Sequence, residues 1–357
     1  MAVHYGLMLP NVCGTMRRGL GVFLKSVLPI HRTSIVALAL FLSDDSGVDH
    51  PALRLAAPLG SAQGERAISS VQWDTVFQIG GTDTDTVLLA PRIIAARGAL
   101  YVFDTGDRRL KAFDGHGKLK WKFGGPGQGP GEFENVVDIE VDQRGNVWIS
   151  DGALGRVTIV SDAGAQRRHF TIQNGTLRHI VPMSRGLIST QVVPNRFLAV
   201  FDETGQELRQ LPSPRRDISE AAPTARQVFT AVAEDGRSWV AMFPFASPLV
   251  GYRNESVSCI GSLVEGGSFQ VPRSGLRPDI WAVSVAVSDS TIYVLPRGKT
   301  DHAFRILDEY SLNTCRYRKS INLPRKAVAI AVTAGTLMLA FDEPAPGVLA
   351  IRPRLRK

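Results

Sequence analysis

The sequence contains few cysteines and lacks the residue clusters that most metal and covalent-catalysis sites require. Cys13, Cys259 and Cys315 are the only three cysteines in 357 residues, which is too few for a disulfide scaffold, and they lack metal-ligand spacing. Two unpaired buried thiols are therefore favoured, and a Cys259–Cys315 bridge is the alternative if the chain is exported. The sequence also has no phosphate-binding loop before a helix, no nucleophile elbow and no Cys/His cluster, so no cofactor is predicted.

The sequence likewise lacks an apolar run long enough to span a membrane. The N-terminal run from Ile35 to Leu42 falls short of the roughly 20 residues that a span needs. Basic residues precede this short run, which is the pattern of an export signal. Residues 1–43 are thus predicted to be an export signal, with a poorly ordered cytoplasmic extension as the alternative. Residues 44–67 are predicted to be a linker, and the location is predicted to be periplasmic or extracellular.

Positive charge is in excess but is not concentrated. The net charge is +8 and the pI about 9.6, which by itself would suit a nucleic acid or an anionic surface. However, the basic residues are scattered, apart from Arg215–Arg216 and the C-terminal tail. A solvated surface is the favoured interpretation, and nucleic acid is not favoured as a partner.

A repeat of about 47 residues dominates the middle of the chain. Within 123–170, a glycine-rich turn is followed by short apolar strands joined by tight turns, which is enough for one four-stranded sheet. Aromatic, acidic and basic residues recur at a spacing of 47 residues in the preceding unit. The matching pairs are Tyr101 and Trp148, Asp104 and Asp151, Arg109 and Arg156, and Phe123 and Phe170. A sheet this small buries little alone, so copies of it are expected to pack together.

Fainter copies extend the pattern to six units. The fourth unit is predicted to use Ser256 to Ile260 and Ser268 to Val271 as its outer strands, which leaves Met242 to Arg253 as a long loop. The sixth unit has only three strands, and a segment ending at Gly81 matches the missing strand. The sequence therefore predicts an all-β, six-bladed β-propeller over residues 68–357, in which an N-terminal strand completes the last blade.

These repeats resemble the NHL-repeat group of six-bladed propellers. The full motif covers about two blades, and the others fit by periodicity alone. The residues that carry the resemblance are Gly127, Gly129, Gly131, Phe133, Asp142, Gly145, Asn146, Trp148, Asp151 and Arg156. Within a blade, Asp142 and Gly145 are expected to form a tight turn. Asp151 and Arg156 are expected to join by a charge-assisted hydrogen bond.

Candidate site residues come from the ring where the innermost strands begin. Aligning the units places six residues in this ring, namely Pro91, Asp138, His179, Phe229, Val283 and Val328. The ring is mostly apolar. Its polar group consists of Asp138, His179 and the preceding Arg178, which are predicted to bind a ligand. No catalytic residue and no metal ligand is predicted.

The sequence is compatible with three functions. A non-enzymatic propeller that binds a protein, peptide or glycan is favoured, because the ring is apolar and an export signal is predicted. The resemblance also implies a metal-dependent hydrolase or lyase, similar to propeller lactonases or peptide-amidating lyases. Those enzymes need several oxygen or histidine ligands, and the ring offers one acid and one histidine. The third hypothesis is an NHL-type propeller that binds nucleic acid.

Overall fold

The structure, a computed structural model, describes a closed set of β-sheets. The described residues are 66–81, 86–173, 177–184, 186–193, 196–215, 228–244, 248–264, 280, 282–288, 290–297 and 303–354. The predicted export signal, and the predicted linker except for its last two residues, lie outside this part of the chain.

Six sheets of similar build follow one another along the chain, and the four strands that form each blade pair antiparallel. Blade 1 contains β3 (Ile93–Ala96), β4 (Leu100–Asp104), β5 (Arg109–Phe113) and β6 (Leu119–Gly124). Blade 2 contains β7 (Val136–Val141), β8 (Val147–Asp151), β9 (Arg156–Val160) and β10 (Gln166–Thr171). Blade 3 contains β11 (Ile180–Met183), β12 (Gly186–Val193), β13 (Arg196–Phe201) and β14 (Glu207–Leu211).

The remaining blades repeat this order. Blade 4 contains β15 (Phe229–Val232), β16 (Ser238–Met242), β17 (Pro248–Arg253) and β18 (Ser256–Ser262). Blade 5 contains β19 (Ala282–Ser288), β20 (Thr291–Pro296), β21 (Ile306–Ser311) and β22 (Tyr317–Asn322). Blade 6 contains β23 (Ala329–Thr333), β24 (Thr336–Phe341) and β25 (Gly347–Pro353), with β2 (Trp73–Gly80) as its outermost strand.

The N-terminal strand closes the ring, as the sequence predicts. Strand β2 pairs antiparallel with β25, with Phe77 opposite Ala350 and Gln78 opposite Leu349. Blade 6 is thereby built from both ends of the described chain, which leaves no open gap between the first and last blades. The prediction of a six-bladed, four-stranded antiparallel propeller is confirmed.

A short strand that the sequence did not reveal lies just before β2. Strand β1 (Ile68–Ser69) pairs parallel with β22 at the outer edge of blade 5. The Arg66 guanidinium donates to both carboxylate oxygens of Asp308, at 3.0 and 2.9 Å. This ion pair is buried, since the two side chains are 9% and 1% exposed. The N-terminal segment therefore joins blade 5 before it completes blade 6.

The hydrophobic core lies between the blades. Each of the six apolar clusters combines side chains from two neighbouring blades. In β8, Val147 and Ile149 pack towards blade 1, whereas Trp148 packs towards blade 3. Side chains alternate between the two faces of a strand, and both faces of a middle strand are covered by neighbouring blades. All five residues of V-W-I-S-D in β8 are therefore buried.

Turn residues of the motif act mainly through backbone contacts. Asp142 Oδ1 accepts hydrogen bonds from the N–H groups of Arg144 and Asn146, and Gly145 takes a φ of 79°. This is the predicted tight turn, in which a positive φ favours glycine.

The predicted bond between Asp151 and Arg156 is wrong. The Asp151 carboxylate instead accepts hydrogen bonds from backbone N–H groups, including those of Glu134 and Leu154. The Arg156 guanidinium donates to carbonyl oxygens of Gln128 and Glu132. Both side chains are buried beside orphan backbone groups, and satisfying those groups outweighs pairing with each other.

The predicted strands of blade 4 also need correction. The segment Met242 to Arg253 is not one long loop, because it contains β17, and the third predicted strand is instead the outer strand β18. Pro248 and Gly251 hid β17, since both residues are depleted in strands. The predicted strand from Ser268 to Val271 lies outside the described residues.

The expectation of unpaired thiols is wrong as well. Cys259 in β18 and Cys315, in the turn between β21 and β22, form a disulfide with a Cα–Cα distance of 5.6 Å. Gly251 and Gly261 make room for it, since a Cβ at Gly251 would lie 2.6 Å from the Cys259 sulfur. The bridge joins blade 4 to blade 5, a proximity that sequence spacing cannot show.

Candidate functional site

A central channel runs between the innermost strands of the blades. Strands β3, β7, β11, β15, β19 and β23 contact one another in a closed ring. The channel encloses a cavity of about 140 Å³. We call the end where these strands begin the upper mouth, and the other end the lower end.

A turn of blade 4 crosses the lower end. The turn between β15 and β16 contains Glu234, whose carbonyl accepts a hydrogen bond from the Arg97 guanidinium of blade 1. The Glu234 carboxylate accepts the Thr333 hydroxyl of blade 6 at 3.1 Å. Gln143 of blade 2 donates to the next carbonyl, that of Asp235. This turn therefore links four blades across the lower end of the channel.

The predicted site residues meet at the upper mouth. Asp138 on β7 is 8% exposed, and its Oδ2 accepts the Ile180 N–H of blade 3 at 2.9 Å. Its Oδ1 lies 3.4 Å from His179 Nδ1, a distance too long for a strong hydrogen bond. Thr190 fixes the backbone of His179, because the His179 N–H donates to its hydroxyl at 3.2 Å. Asp138 and His179 are thus brought together from neighbouring blades.

Next to this pair lies a second cavity of about 230 Å³, which includes Arg178 and His179 in its lining. The His179 ring meets the Phe229 ring edge to face, with centroids 4.8 Å apart. The Arg178 Nε and the His179 Nδ1 are buried and make no hydrogen bond among the described residues. Buried polar atoms normally have partners, so these two nitrogens are the positions where a ligand atom would complete the site.

The predicted ring matches the channel lining with one shift. Asp138, His179, Phe229 and Val283 line the channel as predicted. In blades 1 and 6, the lining begins one residue later, at Arg92 and Ala329 instead of Pro91 and Val328. The loose alignment of these units accounts for the shift.

Sequence reasoning missed Glu140, which lies two residues after Asp138 on the same strand, β7. Glu140 also lines the channel. Burial raises the pKa of its carboxyl group well above the usual value, and the Asp138 charge adds to this. The N–H groups of Val141 and Val232, and the Arg97 charge, oppose the shift. The signal in the sequence was the alternation V-D-I-E-V, which places both acids on one face of β7.

No group of three or more His, Cys, Asp or Glu side chains within the described residues could hold a metal ion. Nothing in the same part of the chain forms a helix with the length and hydropathy of a membrane span.

Comparison with known proteins agrees with the fold. Residues 82–156 match a family described as a 6-bladed beta-propeller. No curated protein matches the sequence. Among solved structures, the chain is similar to a protein from Bacteroides fragilis described as exported, with a TM-score of 0.54 and 12% identity, covering 81% of this chain and 100% of that one.

Two further solved structures are similar to the chain. The RRP9 WD40 repeats match with a TM-score of 0.50 and 11% identity, over 79% of this chain and 97% of that one. A streptogramin B lyase matches with a TM-score of 0.43 and 12% identity, over 75% of this chain and 79% of that one. At such identities, the likenesses to the Bacteroides fragilis protein and to the RRP9 repeats show the fold alone, since one fold hosts many functions. The chain is a six-bladed β-propeller.

Proposed function

We propose that this protein is a non-enzymatic binding propeller, which holds its ligand at the upper mouth against Asp138, Arg178 and His179. The single observation that carries this proposal is that two buried nitrogens, Arg178 Nε and His179 Nδ1, make no hydrogen bond within the described part of the chain. They adjoin a cavity of about 230 Å³ at the mouth of a channel whose lower end is crossed by a turn. The proposed partner is a protein, peptide or glycan that inserts one polar group there.

The chemistry of the site defines that group. The Nε of arginine can only donate a hydrogen bond, and histidine Nδ1 donates when it carries the proton. A carboxylate or carbonyl oxygen of the ligand would therefore satisfy both nitrogens. Asp138 already accepts the Ile180 N–H, and its Oδ1, 3.4 Å from the same His179 nitrogen, would share that nitrogen with the ligand oxygen. Phe229 and Val137 supply the apolar wall of the cavity.

We further propose that the protein is exported and that its blades are of the NHL type. The basic N-terminal stretch before a short apolar run supports export. The Cys259–Cys315 disulfide also supports it, since such bonds persist in oxidising compartments. The glycine-rich turn and the D-x-x-G-N turn of blade 2 support the kinship with NHL repeats.

The test is a binding screen on arrays of peptides and oligosaccharides. Wild-type protein is compared with Arg178→Ala/His179→Ala and with the control His116→Ala/Lys122→Ala, which removes a histidine and a basic side chain from exposed positions of blade 1. We expect to find ligands that bind wild type and control equally well and bind Arg178→Ala/His179→Ala about tenfold or more weakly. Mass spectrometry should show that these ligands are chemically unchanged after binding.

Two results would contradict the proposal. If the ligands bind the mouth variant as tightly as wild type, the site is elsewhere. If a bound ligand is recovered with a mass change that depends on His179, the Asp138–His179 pair acts in acid–base catalysis and the protein is a hydrolase or lyase. Repeating the assay after chelation would then show whether a metal is needed.

A further inference from the structure

A cavity of about 380 Å³ lies at the lower end of the propeller, over blade 3. Strand β12 begins at Gly186, soon after β11 ends at Met183, whereas the corresponding turns of blades 2 and 4 span 142–146 and 233–237 and extend further. The two longer turns meet through Gln143 and Asp235 and separate this cavity from the channel. We call the cavity the basic pocket, and the residues used below to define it are Arg144, Asn146, Arg167, Arg168, Met183 and Arg237.

Arginines from blades 2 and 4 converge on the basic pocket. Arg144 and Arg237 come from the two long turns, and Arg167 and Arg168 come from β10. Consecutive residues of a regular strand face opposite sides, but the register of β10 against β9 shifts between Gln166 and Arg168. A bulge of this kind re-aims a side chain, so both neighbouring arginines line the pocket.

The pocket carries more positive than negative charge. Its two carboxylates are Asp142 and Glu203. Asp142 is occupied by N–H groups, including the Trp148 indole at 3.0 Å, and Glu203 pairs with Arg168 at 2.7 Å. Among the described residues, Arg144, Arg167 and Arg237 form no ion pair. Three guanidinium groups are thus available to an anionic ligand.

Asn146 gives an independent sign of an incomplete site. The residue is 8% exposed, and its Nδ2 donates to Asp142 at 2.8 Å. Its Oδ1 is buried and accepts no hydrogen bond among the described residues. A ligand of this pocket would therefore present an N–H or O–H donor, directly or through water, beside its negative groups.

We infer that the basic pocket binds an acidic peptide segment, with Asp or Glu carboxylates on Arg144, Arg167 and Arg237 and a backbone N–H directed at Asn146. Arginine pairs with carboxylates through two parallel hydrogen bonds, and a peptide supplies N–H donors next to its carboxylates. An acidic sugar would be favoured by an open aromatic face, but the pocket's Trp148 is 3% exposed. This pocket lies at the opposite end from the upper mouth and does not depend on the function proposed there.

The experiment measures binding of a fluorescein-labelled oligoglutamate peptide by anisotropy, using the full chain. The test variant is Arg144→Ala/Arg167→Ala/Arg237→Ala. The control is Lys118→Ala/Lys120→Ala/Lys122→Ala, which removes the same charge from exposed positions of blade 1. We expect the test variant to lose about tenfold or more in affinity, whereas the control stays within about twofold of wild type. Circular dichroism checks that both variants are folded.

The competing probes decide the ligand class. Oligogalacturonate and a single-stranded oligonucleotide of matched charge are measured in the same way, and weaker binding of both supports the inference. Equal loss of peptide binding in the test and control variants would show general charge attraction and overturn it. Tighter pocket-dependent binding of either competitor would overturn the assignment to a peptide. If Arg178→Ala/His179→Ala retains peptide binding, the two sites are separate, as inferred.

Discussion

Glu140 illustrates how the channel changes the chemistry of a single side chain. It lies beside Asp138 on β7, deep among the inner strands. Burial and the neighbouring carboxylate both disfavour its charged form, and together they outweigh the N–H groups of Val141 and Val232 and the charge of Arg97. A carboxyl whose pKa is raised on folding stabilises the folded protein only while it holds its proton.

The resulting prediction concerns Glu140→Gln. Below about pH 4, the usual range for a glutamate in an unfolded chain, wild type and variant should have similar free energies of unfolding. As the pH rises through the raised pKa of Glu140, wild type should lose stability relative to the variant, by about 1.4 kcal/mol per unit of pKa shift. Urea unfolding across this pH range measures the difference.

The control for this prediction is Glu134→Gln, which changes an exposed glutamate on the same blade. Its effect on stability should be small at every pH. If the free energies of unfolding of wild type and Glu140→Gln differ by the same amount from acid to alkaline pH, the pKa of Glu140 is not raised in the folded protein.

At the scale of elements, one covalent bond and two glycines tie blade 4 to blade 5. The outer strand β18 carries Cys259, and the turn after β21 carries Cys315. Gly261 lies so close to the Cys315 carbonyl that an added Cβ would be 2.0 Å from its oxygen. The two elements therefore pack at a distance that only these small residues permit.

The prediction for this bridge is a loss of stability in Cys259→Ser/Cys315→Ser. The disulfide closes a loop with a sequence separation of 56, and such a cross-link stabilises by about 2–4 kcal/mol, mainly through the unfolded chain. The variant should unfold at lower urea concentration than wild type. A reductant should lower the wild-type midpoint towards that of the variant and leave the variant unchanged.

An independent measurement checks the bond itself. With the bridge formed, titration of denatured, unreduced full-length protein should reveal the thiol of Cys13 alone, and reduction should expose all three cysteines. Three reactive thiols before reduction, in protein prepared under oxidising conditions, would contradict the structure.

The whole molecule depends on ring closure by residues before blade 1. Strand β2 supplies the outer strand of blade 6, and Arg66 and β1 attach to blade 5. Loss of β2 would expose the edge of β25 and part of the core that contains Ile79. Exposed strand edges also promote aggregation.

A series of N-terminal truncations tests this dependence. A chain starting at Arg66 should melt cooperatively, like the full-length protein. A chain starting at Gln72 lacks the partner of buried Asp308, which should destabilise it by about 3–5 kcal/mol. A chain starting at Thr82 lacks β2 and should lose cooperative unfolding or aggregate. Thermal melts followed by circular dichroism, with light scattering, distinguish these outcomes.

The sequence by itself determined the architecture, because the signals that define a blade are local. Alternating apolar residues, the turn at Asp142 and Gly145, and the 47-residue match of blades 1 and 2 are all readable within one repeat. The repeat register also placed Asp138 and His179 in the channel ring. Where local signals were weak, as at Pro248 and Gly251 in β17, the prediction failed.

Only the tertiary structure decided which distant groups meet. It brought Cys259 to Cys315, directed Arg156 to the carbonyls of Gln128 and Glu132, and surrounded Glu140 with Val232 and Arg97. It also placed the turn of blade 4 across the channel and the arginines of the basic pocket around blade 3. These contacts depend on how the blades are set against one another and on the lengths of their turns. That arrangement is fixed by packing between blades, which no single repeat encodes.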